Sequence, residues 1–172
     1  EFPVEQLVRD AKIMSIYEGT NGIQALDLLG RKMRIGSGAR FIDWMQETES
    51  GLRAAAKAGF IPQSAAISKT IQTLAATAMH LANLGRTRKI DAAMVQATPF
   101  LRMFGTVLLA VEAIEQAVVA KRKIDAEGET PFLKGKLLSL DFFVSSVLPQ
   151  AVALGKIIQS GDESCMDPTL FT

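Results

Sequence analysis

The segment Tyr17-Glu18-Gly19-Thr20-Asn21 places a carboxylate at a break in a sequence rich in helix formers. Gly19 can adopt backbone dihedral angles that are barred to residues with a Cβ, so a first helix can end there. Thr20 or Asn21 can then cap a second helix, whose sequence is "GIQALDLLGRKM". The pattern therefore predicts that Glu18 lies beside the N-terminus of a helix.

A carboxylate next to a helix N-terminus provides two parts of a proton-transfer site. The unpaired backbone N–H groups at the start of a helix favour a phosphate or a developing oxyanion. A carboxylate held nearby can remove a proton from the carbon adjacent to a carbonyl group. The alternative is an ordinary helical corner with Glu18 directed to water, and the pattern alone favours that alternative.

The wider sequence around this corner resembles a known family over residues 1–33. It begins with an acidic-aromatic-proline triplet at 1–3, continues through "RDAKI" at 9–13 and "YEGT" at 17–20, and ends with Ile23-Gln24. Together these elements resemble the C-terminal helical domain of acyl-CoA dehydrogenases. The resemblance implies an oxidoreductase that introduces an α,β double bond into an acyl-CoA thioester.

The resemblance also implies a role for each residue of the corner. Glu18 would be the catalytic base, removing the pro-R α-proton while a β-hydride passes to N5 of FAD. Tyr17 would line the acyl pocket, and Gly19 would let the backbone come close to the substrate. Thr20 and Asn21 would approach the FAD.

Residues 36–172 resemble the extra C-terminal helical domain of larger bacterial acyl-CoA dehydrogenases, including those acting on 3-(methylthio)propanoyl-CoA. The segments that support this resemblance are "TPFLRMFGTVLLA" and "KGKLLSLDFFVSSVLPQAVAL". The chain is therefore expected to be the C-terminal part of a flavoprotein and to be inactive alone, with most of the FAD site elsewhere. The family further implies an electron-transfer flavoprotein as acceptor, a homo-oligomer and a location in the bacterial cytoplasm.

Composition limits the other classes of function. The net charge is +1 over 172 residues, with no concentrated basic surface, which argues against a nucleic-acid partner. The chain has one cysteine, Cys165, and one histidine, His80, so a His/Cys metal site is not expected. The longest apolar stretch, "FGTVLLAVEAIEQAVVA", contains two glutamates, so no membrane span is expected either.

The spacing of apolar residues predicts an all-α protein. Apolar residues follow helical periodicity in three series: 67, 71, 74, 78, 81 and 84; 101, 104, 108, 111, 114 and 118; and an a/d-like series from 137 to 158. The predicted organisation is a helical hairpin at 1–35, a bundle of about four helices at 36–160, and a polar tail at 161–172. Gly85 is predicted as a left-handed cap and Pro149 as a kink. Thr98 and Pro99 are predicted either as an N-cap and N1 pair or, if the helix starts earlier, as a kink.

Two other functions fit an all-α chain. The first is a helical interaction module without catalysis, in which residues 1–35 only dock a bundle used for assembly. The second is a helical carrier of lipid or CoA, which would need a cavity inside the bundle.

Overall fold

The computed structural model describes residues 4–17 and 19–171, and these residues are helical without any strand. The prediction of an all-α helical bundle is therefore confirmed. The α-helices are α1 (Val4–Ile13), α2 (Thr20–Gly30), α3 (Ala39–Lys57), α4 (Ile61–Arg86), α5 (Ile90–Val95), α6 (Ala97–Glu127), α7 (Pro131–Phe142) and α8 (Leu148–Ser160).

The bundle is built around α6, which packs against α2, α3, α4, α7 and α8. Its buried side chains include Phe100, Met103 and Val107, none of which is exposed to solvent. Facing them are Ile67, Ile71, Leu74 and Leu81 of α4, and Leu140, Leu148, Ala151 and Ile158 of the α7–α8 arm. The core thus lies along the middle of the long helices, as in other helical bundles.

The α7–α8 arm is distorted where the sequence predicts a kink. Residues Phe143–Val147 form a π-helical turn, and the N–H of Leu148 donates to the carbonyl of Phe143 five residues earlier. Pro149 follows in the first turn of α8, where its missing N–H costs least. The distortion expected from Pro149 is therefore present, as a π-turn just before the proline.

The structure corrects one predicted helix end and selects between the two alternatives at another. Gly85 lies inside α4, and the left-handed residue after that helix is Arg88, with φ of 62°. The N–H of Lys89 donates to the carbonyl of Leu84, and the left-handed residue lies three positions later than predicted. At the start of α6 the cap is Gln96 and Thr98 is already inside the helix, so the helix has the earlier start of the two alternatives.

An aromatic cluster joins the start of α3 to α6. Trp44 stacks on Phe41 and on Phe104 of α6, with ring centroids 5.8 and 5.3 Å apart. A 3₁₀-helical segment with a left-handed turn, Lys32–Gly38, connects α2 to α3. Trp44 is therefore a packing residue, and α2 rests directly on α6.

Two helical stretches, Ala97–Glu127 and Pro131–Ser160, are long and apolar enough to cross a membrane by length and composition. The sequence-based expectation missed them because it required an uninterrupted apolar run. This is weak evidence for a span, since a core helix of a soluble protein meets the same criterion. Here both stretches contribute side chains to the bundle core.

Candidate functional site

The corner that precedes α2 starts earlier than predicted. α1 ends at Ile13, and residues Met14–Tyr17 form a turn in which the N–H of Tyr17 donates to the carbonyl of Ile13 at 2.9 Å. The prediction that the first helix runs to Gly19 is therefore wrong by several residues. Glu18 lies outside the residues that the structure describes, between the end of this turn and Gly19.

Gly19 and Thr20 form a left-handed corner at the start of α2. Gly19 has φ of 99° and is the N-cap, and Thr20, the first helical residue, has φ of 71°. A positive φ is ordinary for glycine but unusual for a β-branched residue, so Thr20 is a strained position. The prediction that Thr20 or Asn21 caps α2 is wrong, since the cap is Gly19 and no side chain hydrogen-bonds there.

The inside of this corner is filled by Ile23, one turn along α2. A Cβ placed on Gly19 would lie 3.2 Å from Cγ2, 3.3 Å from Cβ and 3.5 Å from Cγ1 of Ile23. Gly19 is therefore required twice, by its left-handed dihedral angle and by its close approach to Ile23. In the sequence Ile23 is only part of the family motif, and its spacing of four residues from Gly19 indicates that the two are neighbours but not how closely they approach.

The described residues proposed from the sequence lie together at one exposed corner. Tyr17 is 67% exposed, and Gly19, Thr20 and Asn21 are also exposed. The backbone N–H groups of the first turn of α2 lie at the same place, and the N-cap residue, Gly19, has no side chain with which to cap them. The corner is thus an open surface on which a ligand and a carboxylate could meet.

A charged cluster that was not predicted from the sequence lies at the other end of α2. Arg31 donates to Asp27 through Nε at 2.6 Å and through Nη2 at 2.8 Å, and Lys32 Nζ lies 3.5 Å from the same carboxylate. The hydrogen bonds from Arg31 hold the pKa of Asp27 below its usual value of 3.8. This bidentate pair stabilises the last turn of α2, which packs on α6 through the opposite face.

Two shallow recesses lie elsewhere on the bundle. One is an apolar groove of about 230 Å³ between α3 and α6, bordered by Gly51, Ala54 and Val118. The other lies between α6 and α7, bordered by Glu112, Lys123 and Lys136. Neither is lined by Tyr17, Gly19, Thr20 or Asn21, so the corner before α2 is a separate candidate site.

Comparison with known proteins agrees with the helical architecture. The model of a family described as "Acetyl-CoA dehydrogenase C-terminal like" matches residues 41–169, which is most of the bundle. The match begins at α3 and therefore does not include the corner at Gly19. The family model thus supports the identity of the bundle independently of the "YEGT" motif.

Curated relatives extend the similarity across the corner. A 3-methylmercaptopropionyl-CoA dehydrogenase of Ruegeria pomeroyi is 34% identical over 168 residues, covering 94% of this chain and 28% of the relative. A butyryl-CoA dehydrogenase of Syntrophomonas wolfei is 27% identical over 171 residues, covering 97% and 28%. A broad-specificity linear acyl-CoA dehydrogenase of Mycobacterium tuberculosis is 28% identical over 187 residues, covering 97% and 29%.

All three relatives are named as dehydrogenases of an acyl-CoA. The chain spans just over a quarter of their length. The family match covers well over half of the chain, and the similarity to the relatives includes the residues before it. The chain therefore belongs to the acyl-CoA dehydrogenase family and corresponds to its C-terminal helical region.

Proposed function

We propose that the longer protein containing this chain is a flavin-dependent acyl-CoA dehydrogenase in which Glu18 is the catalytic base. The observation that carries the proposal is the left-handed corner at Gly19 and Thr20, which directly follows a carboxylate residue in a chain of this family. Strained backbone of this kind is concentrated at functional sites. A carboxylate next to such a corner is suited to proton removal beside a carbonyl group.

The reaction requires two hydrogens to leave adjacent carbons of the acyl chain. Glu18 takes the α-proton onto its carboxylate, and the electron pair of that C–H bond forms the new α,β double bond. Gly19 is exposed, so its backbone can come close to the thioester, and Tyr17 contributes an exposed aromatic surface for the acyl group. Backbone N–H groups close to the thioester oxygen would stabilise the charge that develops there.

The start of α2 also suits one part of a flavin cofactor. Thr20 and Asn21 are exposed there, and the backbone N–H groups at the start of a helix favour the polar or anionic groups that FAD carries. We propose that these two residues contact FAD, with the rest of its site elsewhere in the protein. When bound, FAD supplies an acceptor for the hydride that leaves the β-carbon.

Acyl-CoA is thus the proposed substrate class. An electron-transfer flavoprotein as acceptor, a homo-oligomeric assembly and a location in the bacterial cytoplasm are further proposals from the family. The test is to incubate the full-length flavoprotein with a panel of acyl-CoA thioesters and an electron acceptor, and to analyse the products by mass spectrometry. We expect at least one thioester to lose two hydrogen atoms, and if none of the panel is desaturated the proposal is wrong.

A non-catalytic assembly module is the second candidate. It is favoured by α1, which is apolar on one face but buries no residue. The side chains of Val4, Leu7 and Val8 are each 58–64% exposed. Such a face is expected to be covered by another surface. The same product analysis separates the candidates, because an assembly module leaves every thioester unchanged.

A further inference from the structure

We infer that the outer face of the α7–α8 arm is a contact surface between two copies of this chain, which pair antiparallel about a two-fold axis. The outer face is the solvent-exposed side of the arm, and it carries Leu138, Phe142, Pro149, Ala153 and Ile157. The inference rests on the homo-oligomeric assembly proposed above, for which it names the surface.

This face is apolar over a long exposed surface. Leu138, Phe142 and Ile157 are 57–65% exposed, and no charged residue stands between Asp141 and Lys156. Only 17% of the most apolar 18-residue stretch of the arm is buried, against 39% in α6. At 1.5 Å per residue the face is about 30 Å long, and an apolar surface of this extent is expected to be covered by another surface.

The two charges that border the face indicate what covers it. Asp141 and Lys156 are exposed, and in the part of the chain that the structure describes neither belongs to an ion pair. Asp141 Oδ1 accepts only from the neutral amide of Gln63, at 2.7 Å. The two charges are 15 residues apart, but the π-turn at Phe143–Val147 inserts one extra residue into the helix. Their separation is therefore that of about two heptads, which places both charges on the same side of the face.

An antiparallel pair of arms brings these opposite charges together twice. With the two-fold axis close to Pro149, midway between the charges, Asp141 of each copy faces Lys156 of the other. The same register sets the large ring of Phe142 near the short side chain of Ala153 in the other copy. A two-fold contact requires one surface to complement itself, and the outer face does so in shape and in charge.

Other coverings explain less of this pattern. A bilayer or another part of the longer polypeptide would cover the apolar side chains, but it would give no reason for opposite charges at equal distances from Pro149. Two helices 10–12 Å wide in contact over about 30 Å offer less than the roughly 800 Å² per partner of a standard interface. We therefore expect a weak dimer, with a dissociation constant of about 10–100 µM.

Analytical ultracentrifugation of the 172-residue chain, which has its own hydrophobic core, measures this dimer. Asp141→Lys and Lys156→Asp each set like charges opposite each other in a pair of identical copies, so each variant alone should dimerise about tenfold more weakly than wild type. An equimolar mixture of the two variants restores both opposite-charge contacts and should form heterodimers with about the wild-type affinity. Glu47→Lys makes the same charge change on an exposed position of α3 and should leave the dimer unchanged.

The inference is wrong if the chain stays monomeric at about 1 mM, well above the expected dissociation constant. It is also wrong if both variants dimerise like wild type, or if their mixture does not recover. Sedimentation of a monomeric chain with phosphatidylglycerol vesicles would assign the outer face to a membrane instead.

A parallel measurement on the full-length protein separates this inference from the proposed assembly. An oligomeric full-length protein with a monomeric 172-residue chain would contradict the outer face of the arm as the contact and leave the assembly intact. A monomeric full-length protein would contradict both.

Discussion

Gly155 of α8 lies directly against Thr73 of α4. A Cβ built on Gly155 would be 3.0 Å from Cγ2 of Thr73, 3.1 Å from Cε of Met103 and 3.2 Å from Oγ1 of Thr77. One turn later, Gln159 Nε2 donates to Thr77 Oγ1 at 2.7 Å. Gly155 has no positive φ, so packing between the two helices is the reason for a glycine there.

We expect Gly155→Ala to lower the free energy of unfolding by about 1–3 kcal/mol, because overfilling a packed core forces its neighbours apart. Urea denaturation of the 172-residue chain measures this, with Trp44, the single tryptophan, as the fluorescent reporter. Gly135→Ala in α7 is the matched control, because nothing lies within 4 Å of its Cβ position. That variant should be up to about 1 kcal/mol more stable than wild type. Equal midpoints for the two variants would contradict the packing account.

Gly19 and Gly22 form a second matched pair. Gly19 has a φ of 99°, and its Cβ position lies 3.2 Å from Ile23 Cγ2. The nearest atom to the Cβ position of Gly22 is Thr20 Oγ1, at 3.9 Å. Gly19→Ala should therefore lower kcat of the full-length flavoprotein by about tenfold or more, since the corner must rearrange. Gly22→Ala should leave kcat close to wild type. Steady-state kinetics on both variants measures this, and a larger loss in Gly22→Ala would be inconsistent with the geometry of the corner.

The Asp27–Arg31 pair predicts a dependence on pH. Because the pKa of Asp27 is lowered in the folded chain, its contribution to stability is fully present above the unfolded value of about 3.9. That contribution is lost as the pH falls through the lower folded value. Carbon-detected NMR titration of the Asp27 carboxylate should give a pKa below 3.8, and Arg31→Gln should raise it towards 3.8.

The neighbouring cation provides the control for that titration. Lys32 lies farther from Asp27, at 3.5 Å, and contributes less to the shift than the hydrogen bonds from Arg31. Lys32→Gln should therefore raise the pKa of Asp27 less than Arg31→Gln does. The opposite order would show that the bidentate pair does not control the carboxylate.

The helical periodicity of α4 predicted its buried face well. Ile67, Ile71, Leu74 and Leu81 are all buried, as their spacing indicates. This succeeded because, apart from Met79, most of the remaining positions of α4 are polar or small, so one apolar stripe stood out.

The same reasoning placed the stripe of α6 less accurately. Leu108 belongs to the predicted series but is 38% exposed, whereas Val107 and Ala110 beside it are completely buried. α6 is apolar around most of its circumference and contacts six other α-helices, so spacing alone could not choose among its faces. Several buried positions of α6 are alanines, and a search for large apolar residues overlooks them.

For the candidate site, the sequence predicted the left-handed Gly19 but not the positive φ of Thr20. Positive φ is rare for β-branched residues, so no local rule indicates it. Nor could the sequence show that Ile23 fills the corner, since that depends on how the turn after Ile13 enters α2. Glu18 lies outside the described residues, so its role stays a prediction.

The most direct test of the central claim is the rate at which an acyl-CoA bleaches the visible flavin band of the full-length protein. Wild type is compared with Glu18→Gln in stopped-flow mixing experiments. Glu47→Gln, which alters an exposed carboxylate on α3, is the control. If Glu18 is the base, bleaching slows by several orders of magnitude in Glu18→Gln and is unchanged in Glu47→Gln. Bleaching at the wild-type rate in Glu18→Gln would place the base elsewhere and leave the corner at Gly19 with a structural role only.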